Sequence, residues 1–364
     1  MNPKIIFAGG GTAGHVEPAL AVAANLRKIK PNFEILFVGT KKGLENQLVP
    51  AASFPLVFIP KILLPRQLSL NLLIWPFKFT AAIWQALKIC KDADLIIGFG
   101  GYACPPIYLA AAILRKPIMV HEANAIPGWA NKLGVHFATE VFVAFASAKQ
   151  KIGKWRSAKL IGMPLRSEIL ENHKLSAAQK SEIRSNQIKK WDMSESKPIL
   201  LVFGGSQGSR HINEAILQSL SFFTEHNIQV VHSVGRNNPL PTSTENYLPV
   251  PYIENMATAY SACDLVIARS GALTCAELAA VGKFALLIPL GVGNGEQSAN
   301  ARDLMQMGAA LVIEDNKFNA DWLISNWSEL FRSARAYVPK PMPDTSASEI
   351  ISNSIIALIE KQNR

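Results

Sequence analysis

The chain has 364 residues, beyond the roughly 250–300 at which one hydrophobic core stops growing, so two domains are expected. Hydrophobic residues make up 49% and charged residues 18%, which excludes a disordered or fibrous chain. The net charge of +10 is uneven: residues 1–163 hold 19 Lys and Arg against 7 Asp and Glu, and the remainder hold 18 against 20. A basic first half implies a polyanionic partner for that half, whether nucleic acid, an anionic lipid surface or a phosphorylated substrate.

The N-terminus runs from Met1-Asn2-Pro3-Lys4 straight into a strand-like segment and lacks the pattern of a signal peptide. Strands are expected at 4–8, 33–38, 56–59, 94–98, 118–121, 141–143 and 160–161, then at 199–203, 229–233, 250–253, 264–268, 285–288 and 311–313. These are near-continuous apolar runs separated by helical patterns, the signature of parallel sheets covered on both faces. The longest apolar stretches, such as Tyr102 to Leu114, fall short of the ~18–20 residues that span a bilayer, so the protein is expected to be soluble or peripheral. The polar stretch 167–197 marks the handover between domains, expected as 1–163 and 164–345. The final helical pattern, 346–364, could pack on either half and is expected to return to the first. Cys90, Cys104, Cys263 and Cys275 form no C-x-x-C pair, which argues against a disulfide framework or zinc site and fits a reducing cytoplasm.

The halves echo one another. Gly10-Gly11-Thr12-Ala13-Gly14 follows the first strand of one, and Gly204-Gly205-Ser206-Gln207-Gly208 the first strand of the other. Asp94-Leu95-Ile96-Ile97-Gly98 is answered by Asp264-Leu265-Val266-Ile267-Ala268. The architecture this implies is α/β: two Rossmann-like domains with parallel sheets facing across a cleft.

Four glycine-rich turns, at 9–14, 98–101, 204–208 and 270–272, fall at strand-to-helix junctions. Each can serve close helix packing or phosphate binding at a helix N-terminus; four together favour a phosphorylated ligand. Gly9-x-Gly11-x-x-Gly14 matches the dinucleotide fingerprint, but the second strand ends in Gly39-Thr40-Lys41-Lys42 without the acid a nicotinamide site needs. A dehydrogenase is therefore the runner-up. Asp92-Ala93-Asp94 is a literal D-x-D, yet it precedes a strand, and ligands bind where strands end. No catalytic metal and no cofactor are expected. His15 should lie in the first turn of the first helix, where the dipole disfavours imidazolium and suits a general base; capping or ligand orientation is the other reading. His121 and Glu122, ending another strand, could share the task. Residues 46–91 hold no acid but carry Lys61, Arg66, Lys78, Lys88 and Lys91 among Trp75, Phe77, Phe79 and Trp84. That mixture suits core plus a membrane-facing edge, although RNA stacking would use the same residues.

Several blocks resemble the MurG family, the bacterial undecaprenyl-diphospho-muramoylpentapeptide β-N-acetylglucosaminyltransferases. They are residues 8–22 (Ala-Gly-Gly-Gly-Thr-Ala-Gly-His-Val-x-Pro-Ala-Leu-Ala-Val), Gly98-Phe99-Gly100-Gly101-Tyr102, His121-Glu122-Ala123-Asn124, Gly162-Met163-Pro164-Leu165-Arg166, Gly204–Gly208, Arg269-Ser270-Gly271-Ala272-Leu273-Thr274-x-x-Glu277 and Gly295-Glu296-Gln297. They occur in family order. The resemblance implies a GT-B fold and an inverting, metal-independent hexosyltransferase that moves N-acetylglucosamine from UDP-N-acetylglucosamine to the muramoyl 4-hydroxyl of lipid I, giving lipid II for peptidoglycan. His15 and Glu122, from their places at a helix start and a strand end, are the expected catalytic residues. Ser206, Arg166, Leu273 and Thr274 would hold the donor diphosphate, Glu277 the ribose and Ile253 the uracil; Asn124, Glu296 and Gln297 would read the sugar. Thr12, Ala13, Gly14 and Ala272 would also line the donor, and Gly10, Gly11, His15, Gly100, Gly101 and Tyr102 the acceptor. Ala13 stands where the family often has glycine, and Glu296 where some members have glutamine.

Expected partners are the two substrates, an anionic membrane at its cytoplasmic face, where the protein would sit peripherally, and other cell-wall synthesis proteins, with no nucleic acid. The rival within enzymes is another GT-B UDP-sugar transferase with a lipid or small-molecule acceptor. The rival outside them is a nucleotide- or nucleic-acid-binding protein without catalysis.

Overall fold

Strands that are apolar on both faces must be covered on both faces, and the computed structural model has that arrangement twice. It describes residues 2–62, 70–149, 153–291, 294–339 and 346–362. The chain divides into one unit of Met1–Arg166 with Asp344–Arg364, and a second of Ser167–Pro343.

In the first unit the strands are β1 (Lys4–Ala8), β2 (Glu34–Gly39), β3 (Leu56–Phe58), β4 (Leu95–Gly98), β5 (Ile118–Glu122), β6 (Glu140–Val143) and β7 (Lys159–Leu160). All pair in parallel, in the order β3-β2-β1-β4-β5-β6-β7. In the second unit β8 (Ile199–Phe203), β9 (Gln229–Ser233), β10 (Tyr247–Val250), β11 (Leu265–Ala268), β12 (Ala285–Leu287) and β13 (Ala310–Val312) form the parallel order β10-β9-β8-β11-β12-β13. Each sheet reverses its strand order once, between β1 and β4 and between β8 and β11. In open parallel sheets ligands bind at this switch point, outside the carboxyl ends of the strands. Two apolar layers sandwich the first sheet, one built on Tyr108, Ile107 and Trp155, the other on Phe7, Phe37 and Leu26.

The break between units falls after Arg166, three residues later than expected, because 162–166 is tied to the first unit. His121 Nε2 meets the Gly162 carbonyl at 3.2 Å, Arg166 lies 3.9 Å from Glu17, and Met163 and Leu165 are buried. Residues 167–197 open the second unit as helices Ser167–Lys174 and Ala177–Lys190, the latter started by a Ser176–Gln179 capping box. The final helix, Ala347–Gln362, buries Ile351, Ile355 and Ile359 in the first unit's core, and Ser352 Oγ accepts from Asn25 Nδ2 at 3.0 Å.

One expected strand is misplaced. Of the segment 250–253 only Val250 lies in a strand, as the last residue of β10, which starts three residues earlier than expected. Val250 ends the ladder, its carbonyl accepting from Val234 N at 3.0 Å, and Pro249 is tolerated because β10 lies at the sheet edge. Ile253 therefore sits in the loop beyond β10. All four cysteines are free and buried, and burial pushes their thiols up to about 11 or 12.

Candidate active site

All four glycine turns lie at the two switch points. In the first unit the loop after β1 leads into helix Ala13–Ile29, capped at Thr12 without a side-chain bond. The loop after β4 carries Gly100 and Gly101, both at positive φ. A Cβ on Gly101 would overlap the Gly10 carbonyl, so glycine is required there for the two loops to touch. His15 closes over this junction. Its Nδ1 lies 3.1 Å from the Gly10 carbonyl and 3.4 Å from Thr12 Oγ1, and its Nε2 edge faces Gly100. A carbonyl can only accept, so Nδ1 carries the proton in the neutral ring. The lone pair is then on Nε2, beside the second glycine loop. Tyr102 follows that loop half-exposed, with the Lys61 ammonium 4.7 Å above its ring.

Glu122 ends β5 buried at 1% exposure. Its carboxylate accepts from Asn124 N at 2.9 Å, Asn124 Nδ2 at 3.3 Å, Gly128 N at 3.0 Å and Asn131 Nδ2 at 3.0 Å. Burial raises its pKa, opposed by those hydrogen bonds and by the nearby His15. It thus braces the loop carrying Asn124. His121 beside it is buried and held neutral, its pKa lowered to about 4 by desolvation.

Sequence reasoning missed Glu45. The acid sought at the end of β2 stands six residues further on and turns inward. Its carboxylate accepts from Gly11 N at 2.8 Å, Thr40 N at 2.8 Å and Thr40 Oγ1 at 3.0 Å. A Cβ on Gly10, Gly39 or Gly43 would overlap it. It is the buried anchor of the first glycine loop, and the three glycines are spaced to admit it.

In the second unit the loop Gly204–Gly208 leaves β8, with Ser206 half-exposed. Helix Ala272–Val281 leaves β11, and Gly271 caps it with no side-chain bond to its first N–H groups. Leu273 and Thr274 lie half-exposed in the first turn, while Ala272 is buried. Arg269 joins the two loops: Nη2 donates to Ser209 Oγ at 2.8 Å, and Nη1 to Asp315 Oδ1 at 2.6 Å and the Ile288 carbonyl at 3.1 Å. Glu277 lies in the second turn at 4% exposure and accepts from Tyr260 Oη at 3.1 Å. Gln297, in helix Glu296–Gln306, accepts the Leu290 N–H at 2.9 Å, and Glu296 beside it is half-exposed. Ser206, Leu273, Thr274, Glu277, Glu296, Gln297 and Ile253 thus belong to the second unit. Thr12, Ala13, Gly14, Asn124 and Arg166 belong to the first.

The D-x-D lies at the opposite edge of its sheet. Asp94 Oδ2 accepts the Lys4 N–H at 2.7 Å, as Asp264 Oδ2 accepts that of Ile199 at 2.8 Å. Both pin the first strand of their sheet.

Residues 5–143 match the Glycosyltransferase family 28 N-terminal domain, and 199–355 the Glycosyltransferase family 28 C-terminal domain. A UDP-N-acetylglucosamine–N-acetylmuramyl-(pentapeptide) pyrophosphoryl-undecaprenol N-acetylglucosamine transferase of Thermobifida fusca is 42% identical over 88% of this chain and 83% of its own. Its namesake in Corynebacterium diphtheriae is 39% identical over 100% and 99%. The chain belongs to the MurG family of glycosyltransferases. The crystal structure of MurG from Acinetobacter baumannii superposes with a TM-score of 0.70 at 27% identity, covering 99% of each chain. The calicheamicin glycosyltransferase CalG4, at 13% identity and a TM-score of 0.63, shares the GT-B fold. As a MurG-family member the protein is a hexosyltransferase, which sets aside the dehydrogenase and the non-catalytic nucleic-acid binder.

Helix Leu70–Cys90 carries Trp75, Phe77, Lys78, Phe79, Trp84 and Lys88 of the acid-free window; Lys61 and Lys91 lie before and after it, and Arg66 lies outside the described residues. Ala82, Ala86 and Cys90 are buried on one face, spaced four apart. The other face exposes Ile74, Phe77 (77% exposed), Lys78, Trp84 (64%) and Lys88. Trp75 and Phe79 instead stack on each other at 4.8 Å. No helix among the described residues is long and apolar enough to cross a membrane.

Proposed function

We propose that the protein transfers N-acetylglucosamine from UDP-N-acetylglucosamine to the 4-hydroxyl of the muramoyl group of lipid I, with inversion, to make lipid II. The observation that carries this is 39% identity along the whole chain to a transferase of that name. The four glycine turns at the two switch points are its physical counterpart.

In this reading the second unit holds the donor. N–H groups of the Gly204–Gly208 loop and of the first turn of helix Ala272–Val281 receive the diphosphate, with Ser206, Leu273 and Thr274 beside it. The same groups stabilise the charge on departing UDP without a metal. Glu277, oriented by Tyr260, accepts the ribose hydroxyls; the Ile253 backbone meets uracil, and Gln297 and Glu296 read the sugar. Within the first unit, Gly10, Gly11, Gly100, Gly101 and Tyr102 face the acceptor. The His15 Nε2 lone pair takes the proton from the attacking hydroxyl as that oxygen bonds to the anomeric carbon, and the bond to UDP breaks on the opposite side. Glu122 accepts several hydrogen bonds deep in the unit, which suits positioning Asn124 and balancing His15 rather than receiving the substrate proton. The exposed aromatic and basic face of Leu70–Cys90 supports peripheral binding to an anionic bilayer.

UDP release from UDP-N-acetylglucosamine, measured with and without a lipid I analogue, tests the proposal. Release should depend on the analogue. Equal release without it, or with a diacylglycerol acceptor alone, would favour another GT-B transferase.

A further inference from the structure

Behind the Gly204–Gly208 loop runs a row of hydrogen-bonded polar groups, buried at one end and half-buried at Asn213, that the transfer reaction does not touch. Tyr247 on β10 and His232 on β9 are both buried. The Tyr247 hydroxyl lies 3.0 Å from His232 Nδ1, and His232 Nε2 lies 3.0 Å from Asn213 Oδ1. Asn213 Nδ2 then donates to the Val234 carbonyl at 2.9 Å.

These partners fix every proton. The Val234 carbonyl can only accept, so the Asn213 amide nitrogen faces it and the amide oxygen faces the histidine. That oxygen must be given a proton, so His232 carries one on Nε2. Its Nδ1 is then the lone-pair nitrogen and receives the Tyr247 hydroxyl. Burial keeps both rings in these states, with the histidine lowered to about 4 and the tyrosine raised to about 12. The row has one arrangement, and it ends on a backbone oxygen.

That oxygen is where the loop closes. Gly208 sits at φ +75, and a Cβ there would overlap the Val234 carbonyl. Asn238 Nδ2 donates to Val234 O at 2.7 Å and to Gln207 O at 2.9 Å. The Val234 carbonyl therefore sets how far the end of the loop can travel. N–H groups that receive a phosphate work only when held to within about 0.5 Å of the productive geometry.

We propose that His232, acting through Asn213 and the Val234 carbonyl, is a positioning residue for the Gly204–Gly208 loop, setting its grip on the donor diphosphate. The proposal rests on the reading of that loop as the diphosphate site.

The test titrates UDP and uridine against the wild type, His232→Phe, His232→Gln and Ser206→Ala. Phenylalanine keeps the ring but ends the row. It should weaken UDP about tenfold, about 1.4 kcal/mol, and leave uridine, which has no phosphates, unchanged. Glutamine presents an amide N–H where Nε2–H stood and should restore most of the affinity. If the phenylalanine variant does not fold, Asn213→Ala breaks the next link and should give the same UDP-selective loss. A loss shared equally by uridine would mean general loosening and overturn the proposal. A UDP loss in Ser206→Ala with none in His232→Phe or Asn213→Ala would keep the loop reading and overturn the positioning role. No UDP loss in any variant would overturn both.

Discussion

Replacing Glu45 by glutamine asks whether a buried charge holds the first glycine loop. The two side chains are nearly isosteric, so the surrounding Gly10, Gly39 and Gly43 still admit the new one. The carboxylate receives three hydrogen bonds, from Gly11 N, Thr40 N and Thr40 Oγ1. A glutamine oxygen can serve only one of the two sides, and its NH₂ then faces a backbone N–H on the other. The Thr40 hydroxyl can rotate to accept, but one buried N–H is left without a partner. An unsatisfied buried donor costs about 1–3 kcal/mol, and loss of charge assistance on the remaining bond adds about 1. The expected destabilisation is therefore about 2–4 kcal/mol. For a unit of roughly 150–250 residues this lowers Tm by roughly 5–15 °C. Urea unfolding of the full chain, followed by a probe in the first unit, measures it, and steady-state kinetics should show a raised acceptor KM with donor KM unchanged. A change below about 0.5 kcal/mol with normal acceptor KM would refute the anchoring role.

His15→Ala should lower kcat roughly 10²-fold or more with donor KM nearly unchanged; near-normal kcat with a raised acceptor KM would make His15 an orienting residue. Glu277→Ala should weaken UDP binding in titration calorimetry by roughly 1.5–3 kcal/mol per ribose hydrogen bond lost, whereas Gln297→Ala should spare UDP and impair sugar discrimination. Changing Phe77 and Trp84 together to serine should reduce sedimentation with anionic vesicles, and salt should weaken what binding remains; unaltered binding would move the membrane face elsewhere. Activity should survive a strong chelator, and loss restored by magnesium or manganese would contradict leaving-group stabilisation by backbone N–H groups alone.

The strands were legible because a strand buried on both faces is a continuous apolar run between helical patterns. β10 was the exception: its pattern is interrupted by Pro249, and register along the sheet edge decides its bounds. The four glycine turns were legible as strand-to-helix junctions because glycines between a strand and a helix carry meaning in one dimension. What braces those loops was not. Glu45 reaches Gly11 from beyond β2, and Arg269 reaches Ser209 at the end of the loop after β8, and nothing local distinguishes a buried acid turned onto an N–H from a solvated one. Glu45 had a faint signal, since Gly39, Gly43 and Gly10 leave space for one side chain. The D-x-D was legible by position alone, as it precedes a strand. The aromatic and basic residues of the acid-free window were legible as a set but not by face, because helical phase decides that Phe77 and Trp84 are exposed while Trp75 and Phe79 stack.

The most direct test of the account is to incubate the enzyme with UDP-N-acetylglucosamine and lipid I and examine the lipid product. It predicts a product heavier by one N-acetylglucosamine unit, joined to the muramoyl 4-oxygen through a β-linkage. An α-linked product, or consumption of UDP-N-acetylglucosamine with lipid I unchanged, would contradict it.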